Sequence, residues 1–269
     1  MSLASRLNAG ETLITAWSGI PDALTVEVVA AQGFDAVTLD MQHGGHHEDS
    51  VLRSILPVAS AGRHAVVRVP VGRFDMASRA LDFGAEAVIA PMVNSVDDAR
   101  RFAAAMKYPP VGERSWGPTF AAPRAGSKDP VAWLRESNGA TVSFAMIETR
   151  AALDALDGIL ATPGIDGIFV GPADFSIAWT EGETVDGKLE DMMGTVERIA
   201  ARARAAGKHA GIYVVDASMS GRFVEMGYRF LALGTEQRYI ALGAESLLTA
   251  ARNSLGRPKA REAGGSSGY

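Results

Sequence analysis

The hydrophobic positions of this chain fall into two alternating kinds of stretch. Short apolar runs rich in β-branched residues are each followed by a longer run with apolar residues at helical spacing. TLITAW (from Thr12) precedes ALTVEVVAAQG, where Gly33 is expected to cap a helix C-terminus. FDAVTLD, ending at Asp40, precedes HEDSVLRSILPVASAG, and HAVVRVP, carrying Arg68, precedes FDMASRALDFGA. EAVIAPMV precedes SVDDARRFAAAMKYP. FAMIE and GIFVG supply a fifth and a sixth strand on either side of AALDALDGILA. A longer helix is expected from about Lys188 to Ala206. HAGIYVV then leads into DASMSGRFVEMGY, and RFLALG into a last helix ending near Asn253. Eight strand–helix units in one chain of this length predict a parallel sheet closed into a (β/α)8 barrel, rather than an open doubly wound sheet.

Two segments interrupt the rhythm. Tyr108 to Asn138, rich in Pro, Gly and Arg, is expected to be a long functional connection on the face where the strands end. The end of the chain, 256–269, has almost no apolar content and is expected to be a disordered tail after a single barrel domain spanning 1–255.

Bulk properties narrow the function. The formal charge of −5 leaves no basic footprint for nucleic acid or an anionic membrane surface. The absence of cysteine excludes disulfides, thiolate metal sites and thiol nucleophiles. MSLASRLNAGE lacks the apolar run of a signal peptide, and no later stretch approaches membrane-spanning length, so a cytoplasmic protein is expected.

Chemistry-bearing residues gather at the predicted strand ends. Asp40 closes the second strand and is followed by Gln42 and His43; Arg68 lies in the third; Glu148 and Asp174, 26 positions apart, follow the fifth and sixth. The long connection adds Arg114, Trp116 and Arg124. Singly, most have plain readings. Asp40 or Asp174 could cap a helix, Glu148 could pair with Arg150, and His43 could be a solvated loop residue. Arg68 is harder to dismiss, because a guanidinium inside an apolar strand must meet an anion. Together, two carboxylates with open coordination positions suit a hard divalent cation such as Mg²⁺ or Mn²⁺. Such an ion would polarise a 2-oxo acid while Arg68 adds positive charge at the developing enolate oxygen. His43, oriented by Asp40, would move a hydroxyl proton. No lysine sits at a strand end, so a Schiff-base route lacks its nucleophile.

These residues resemble the HpcH/HpaI family of class II, metal-dependent 2-oxo-acid aldolases. The resemblance runs from about Leu3 to Leu255 through LDMQHG, VVRVP, GAEAVIAPMVNSVDDARRFAAAMKYPPVGERSWGP, MIETR…GIFVGPADFS and the final GTE. It implies a (β/α)8 barrel, commonly a homo-hexamer of swapped-helix dimers. It also implies reversible aldol chemistry joining pyruvate, or an analogue such as hydroxypyruvate, to an aldehyde, with Mg²⁺, Mn²⁺ or Co²⁺ as cofactor. Carried over, Glu148 and Asp174 match the metal ligands, Arg68 the arginine beside the oxo acid, and Asp40 with His43 the family's Asp–His pair. Gly171, Pro172 and Ala173 match the turn near the substrate carboxylate. Trp116 is expected to narrow the aldehyde pocket. Three departures are visible: Gln42 replaces a glutamate, Met146 a glutamine, and GERSWGPTFAAPRA carries Ser115, Trp116 and a displaced Arg124. Two competing readings are an acyl-CoA lyase of a related barrel family, for which no basic pocket for the CoA phosphates is evident, and a non-catalytic barrel that binds oxo acids.

Overall fold

The computed structural model describes residues 1–256, and the tail expected at 256–269 lies outside them but for Gly256. Eight parallel strands pair in sequence order and close, with β1 (Leu13–Ser18) against β8 (Phe230–Thr235). Between them run β2 (Ala36–Asp40), β3 (His64–Arg68), β4 (Ala87–Ala90), β5 (Val142–Ile147), β6 (Gly167–Val170) and β7 (His209–Val214). The (β/α)8 barrel expected from the alternation is the observed fold.

Alternation along each strand separates two cores. Outward residues such as Val37, Val67, Ile147 and Ile212 pack on the helix layer. Inward residues such as Trp17, Phe144, Phe169 and Phe230 fill the barrel. The interior aromatics account for two strand glycines. A Cβ at Gly167 would lie 2.8 Å from the Phe144 ring, and one at Gly211 would lie 2.6 Å from Phe169.

The helices start where local chemistry allows. Asp22 caps α2 (Ala23–Ala30), Ser95 caps α5 (Val96–Met106), and Thr235 caps α13 (Glu236–Ser254) through side-chain oxygens. Gly171 and Pro172 open α10 (Pro172–Trp179). The remaining main helices are α3 (Glu48–Ser60), α4 (Asp75–Phe83), α11 (Glu190–Ala205) and α12 (Ser220–Met226).

Several expectations are corrected. Gly33 is not the cap of α2: Ala31 is, and Gly33, at φ +94°, turns the chain towards β2. The helix expected after β5 is broken at Ala155 into α8 (Arg150–Asp154) and α9 (Leu156–Leu160). An N-terminal helix, α1 (Leu3–Asn8), closes the bottom of the barrel, with Leu3 and Leu7 joining the interior core. The Tyr108–Asn138 segment is not a bare loop, since it holds α6 (Ala121–Arg124) and most of α7 (Pro130–Ala140). Nor does it lie on the face where the strands end. Arg114 bonds Asp82 and Arg124 bonds the Phe83 carbonyl, both at the C-terminal end of α4, which feeds the start of β4. Among the described residues no helix is long and apolar enough to cross a membrane.

Candidate active site

The C-terminal ends of the strands bring most of the predicted residues together. Asp40 and Arg68 are paired neighbours in the β2–β3 register and both point inward. Both are nearly fully buried, and they form a two-point ion pair, Arg68 Nε and Nη2 donating to Asp40 Oδ1 and Oδ2 at 2.8 and 2.7 Å. Trp17 Nε1 donates to Asp40 at 3.2 Å, and the Arg68 guanidinium lies 4.8 Å above the Trp17 ring. Burial pushes the Asp40 carboxyl pKa up, but the Arg68 bonds and charge outweigh it and leave the value below the ordinary one. Asp40 is thus no helix cap; it holds Arg68 in place and leaves Nη1 without a protein acceptor among the described residues.

His43 occupies the exposed loop after β2. Asp40 accepts from its backbone N–H at 3.4 Å and from that of Gln42 at 3.0 Å, so it orders the loop rather than the imidazole. The expectation that Asp40 orients the His43 ring is therefore corrected, because Arg68 already engages both carboxylate oxygens. Gln42 Oε1 accepts from the Val71 N–H at 2.8 Å, which ties this loop to the β3–α4 connection.

The far end of the loop is fixed by a residue the sequence reading passed over. His46 is buried between Ser18, at 2.9 Å from Nε2, and Ser50, at 3.1 Å from Nδ1. The Ser50 hydroxyl donates to the His47 carbonyl, so His46 Nδ1 must donate to Ser50 and Nε2 must accept from Ser18. Burial lowers the His46 pKa to about 4. Gly45 N–H donates to the Gly19 carbonyl, and Gly19 N–H donates to buried Glu236, so the loops after β1, β2 and β8 form one unit. HGGHHEDS shows three histidines, His43, His46 and His47, but which of them is buried is visible only in the structure.

Glu148 follows β5 and is buried. Its Oε1 accepts from the Met92 N–H at 2.7 Å, and Met92 adopts a left-handed φ of +54° to present that donor. Its Oε2 faces Gly171, where a Cβ would stand only 2.5 Å away. Burial, then the charge of Asp174, raises the Glu148 pKa to about 7 against the lowering effects of Met92 and Arg68. Asp174 is exposed in the first turn of α10 and has no hydrogen-bond partner among the described residues. Gly171 occupies the cap position, so Asp174 is not the helix cap. Arg150 bonds the carbonyls of Ala178 and Trp179, not Glu148.

Two mutually repelling carboxylates, one buried and one unpartnered, suit a hard divalent cation, which would relieve both. No group of three or more His, Cys, Asp or Glu among the described residues is arranged to hold a metal ion by itself, so remaining coordination positions would fall to water and substrate.

Trp116 is not brought to this site. Its ring packs tilted against Tyr108 with centroids 5.6 Å apart, near the end of α5 and the opposite end of the barrel. Arg114 bonds Asp82 there, and Arg124 bonds the Leu52 and Phe83 carbonyls, so both have structural partners.

Residues 14–241 match the model of the HpcH/HpaI aldolase/citrate lyase family. The chain belongs to that family. It is 35% identical over 91% of its length to a hydroxypyruvate/pyruvate aldolase of Roseovarius nubinhibens, covering 94% of that protein. It is 34% identical to a 4-hydroxy-2-oxo-heptane-1,7-dioate aldolase of Salmonella dublin, covering 90% of each. Among solved structures it resembles a family member from Burkholderia cenocepacia, with TM-score 0.83 and 26% identity over 93% of this chain and 98% of that one.

Proposed function

We propose that this family member is a divalent-cation-dependent aldolase that cleaves 4-hydroxy-2-oxo acids to pyruvate or hydroxypyruvate and an aldehyde, and runs the reverse addition. The observation that carries the reading is the buried Glu148 beside Asp174 on the same barrel rim as Arg68, whose Nη1 is free. Glu148 and Asp174 would hold Mg²⁺, Mn²⁺ or Co²⁺, which supplies Lewis-acid polarisation of the substrate ketone.

The chain's own groups account for the remaining steps. Arg68, held by Asp40 and seated on Trp17, donates to the C2 oxygen as negative charge develops there. The N–H groups of Gly171 and Ala173 at the start of α10, on either side of Pro172, which has none, receive the carboxylate. His43 takes the proton of the C4 hydroxyl; the C3–C4 bond breaks, its electron pair enters the C2–C3 bond, and the aldehyde leaves. A proton delivered to C3 completes the 2-oxo acid.

Hexameric assembly through exchanged terminal helices is part of the same proposal. The only buried residue of the 19-residue α13 is Glu236, and Ile240 and Leu247 are 64% and 75% exposed. On α2, Leu24 is 71% exposed. Two bare apolar faces on one chain support mutual coverage between copies.

The test is proton–deuterium exchange at C3 of pyruvate and hydroxypyruvate in D₂O, followed by NMR with Mn²⁺ or with EDTA. Exchange should require the cation and vanish in Glu148→Ala. No exchange with either acid under any cation would refute the aldolase reading.

A further inference from the structure

β7 places one more polar side chain in the barrel mouth. Ala210, Ile212 and Val214 face the helix layer, whereas Tyr213 packs on the interior core. The register pairs Ile147 with Val170 and Val170 with Ile212. One residue further, Glu148, Gly171 and Tyr213 therefore share a rung across three adjacent strand ends, with their inward positions side by side. The middle residue has no side chain, so the rung carries a carboxylate on one side and a phenol on the other.

The surroundings of Tyr213 are those of the site. Its ring meets Trp17 edge-on at 5.5 Å, and Trp17 is the residue that supports both Arg68 and Asp40. Tyr213 is only partly buried, and its hydroxyl has no hydrogen-bond partner among the described residues. Burial raises the phenol pKa above its ordinary value, Asp40 adds to the rise, and Arg68 opposes it. At neutral pH the group is a neutral hydroxyl able to donate and to accept.

Counting polar groups gives this hydroxyl a task. In a pyruvate-like substrate Arg68 would serve the ketone oxygen and the N–H groups of Gly171 and Ala173 the carboxylate, beside the cation that Glu148 and Asp174 would hold. Nothing in pyruvate remains for an additional phenol, whose water would be displaced by a methyl group without replacement. A substrate with one more polar group on C3 would satisfy it.

We infer that Tyr213 is a substrate-binding residue that hydrogen-bonds a hydroxyl on C3, and so selects a 3-hydroxy-2-oxo acid over one with an unsubstituted methyl group. This rests on the aldolase reading and specifies its nucleophile.

The experiment compares kcat/KM for hydroxypyruvate and for pyruvate, with glycolaldehyde as common acceptor and saturating Mn²⁺, in the wild type and in Tyr213→Phe. Phenylalanine keeps the ring against Trp17 and removes only the hydroxyl. The variant should lose about 10-fold or more with hydroxypyruvate, mostly in KM, and less than about 3-fold with pyruvate. Tyr213→Leu, which removes the ring as well, should shift the ratio in the same direction. An unchanged ratio, or equal losses on both acids, overturns the assignment. Cation-dependent C3 exchange by the wild type separates the two claims: without it the aldolase reading falls and takes this one with it, whereas exchange with an unmoved ratio removes Tyr213 alone.

Discussion

At the scale of single residues, the site is a set of groups whose charge states are set by burial and by one neighbour each. Arg68 and Asp40 depend on each other inside the barrel, and removing either leaves the other as an uncompensated buried charge. Asp40→Ala should cost on the order of 3–5 kcal/mol in urea unfolding, in addition to loss of activity. Glu148 shows the opposite balance. Its carboxyl holds a proton up to about pH 7, and a cation must displace that proton. Mn²⁺ affinity measured by calorimetry should therefore rise with pH to about 7 and then level off, with proton release that disappears in Glu148→Gln. His46 titrates in the other sense. It is buried neutral, with its pKa lowered from 6.5 to about 4, so below pH 6.5 the unfolded chain takes up a proton that the native state refuses. Stability should fall as pH drops from 6.5 towards 4, by on the order of 3 kcal/mol, and then stop falling. Thermal melts of wild type and His46→Gln across that range isolate the contribution, since Glu148 titrates equally in both. Little of this was legible beforehand. Arg68 announced a buried anion from sequence, but which carboxylate answered it depends on the β2–β3 register.

At the scale of elements, short turns after the strands do the positioning. Gly171 has φ −95°, which any residue can adopt, so its constraint is space rather than backbone freedom. Gly171→Ala would drive a methyl group to 2.5 Å from Glu148 Oε2. The variant should weaken Mn²⁺ binding by more than about 10-fold while its melting temperature stays close to wild type, because one displaced carboxylate affects the site more than the core. The Tyr108–Asn138 segment teaches the converse. Its length and its Pro, Gly and Arg content resemble a functional loop, yet a connection from a helix into a strand must arrive at the start of that strand. Trp116 and Arg124 therefore lie at the closed end with α1 and the α4 terminus.

At the scale of the whole molecule, α13 is the element the single chain does not account for. A 19-residue helix with one buried residue gains little from packing on its own barrel, which is what the proposed assembly between copies would supply. Ile240→Glu with Leu247→Glu should convert the proposed assembly to smaller species in light scattering. A wild type that is already monomeric would remove the assembly proposal. Barrel closure is robust by comparison, since every strand is paired on both sides and no edge is left.

The alternation of apolar runs by itself determined the eight strands, their parallel order and the end of the barrel that carries the chemistry, because period and connection length are local properties of a chain. It also determined that Asp40, Arg68, Glu148 and Asp174 would stand near that rim. Only the tertiary structure decided who touches whom. Asp40 engages Arg68 rather than the His43 ring, Gln42 turns to Val71, Met92 and Gly171 frame Glu148, and Tyr213 enters the mouth from β7. Those contacts arise from the cross-strand register and from burial between segments far apart in the chain, and neither quantity is written in the spacing of any one stretch.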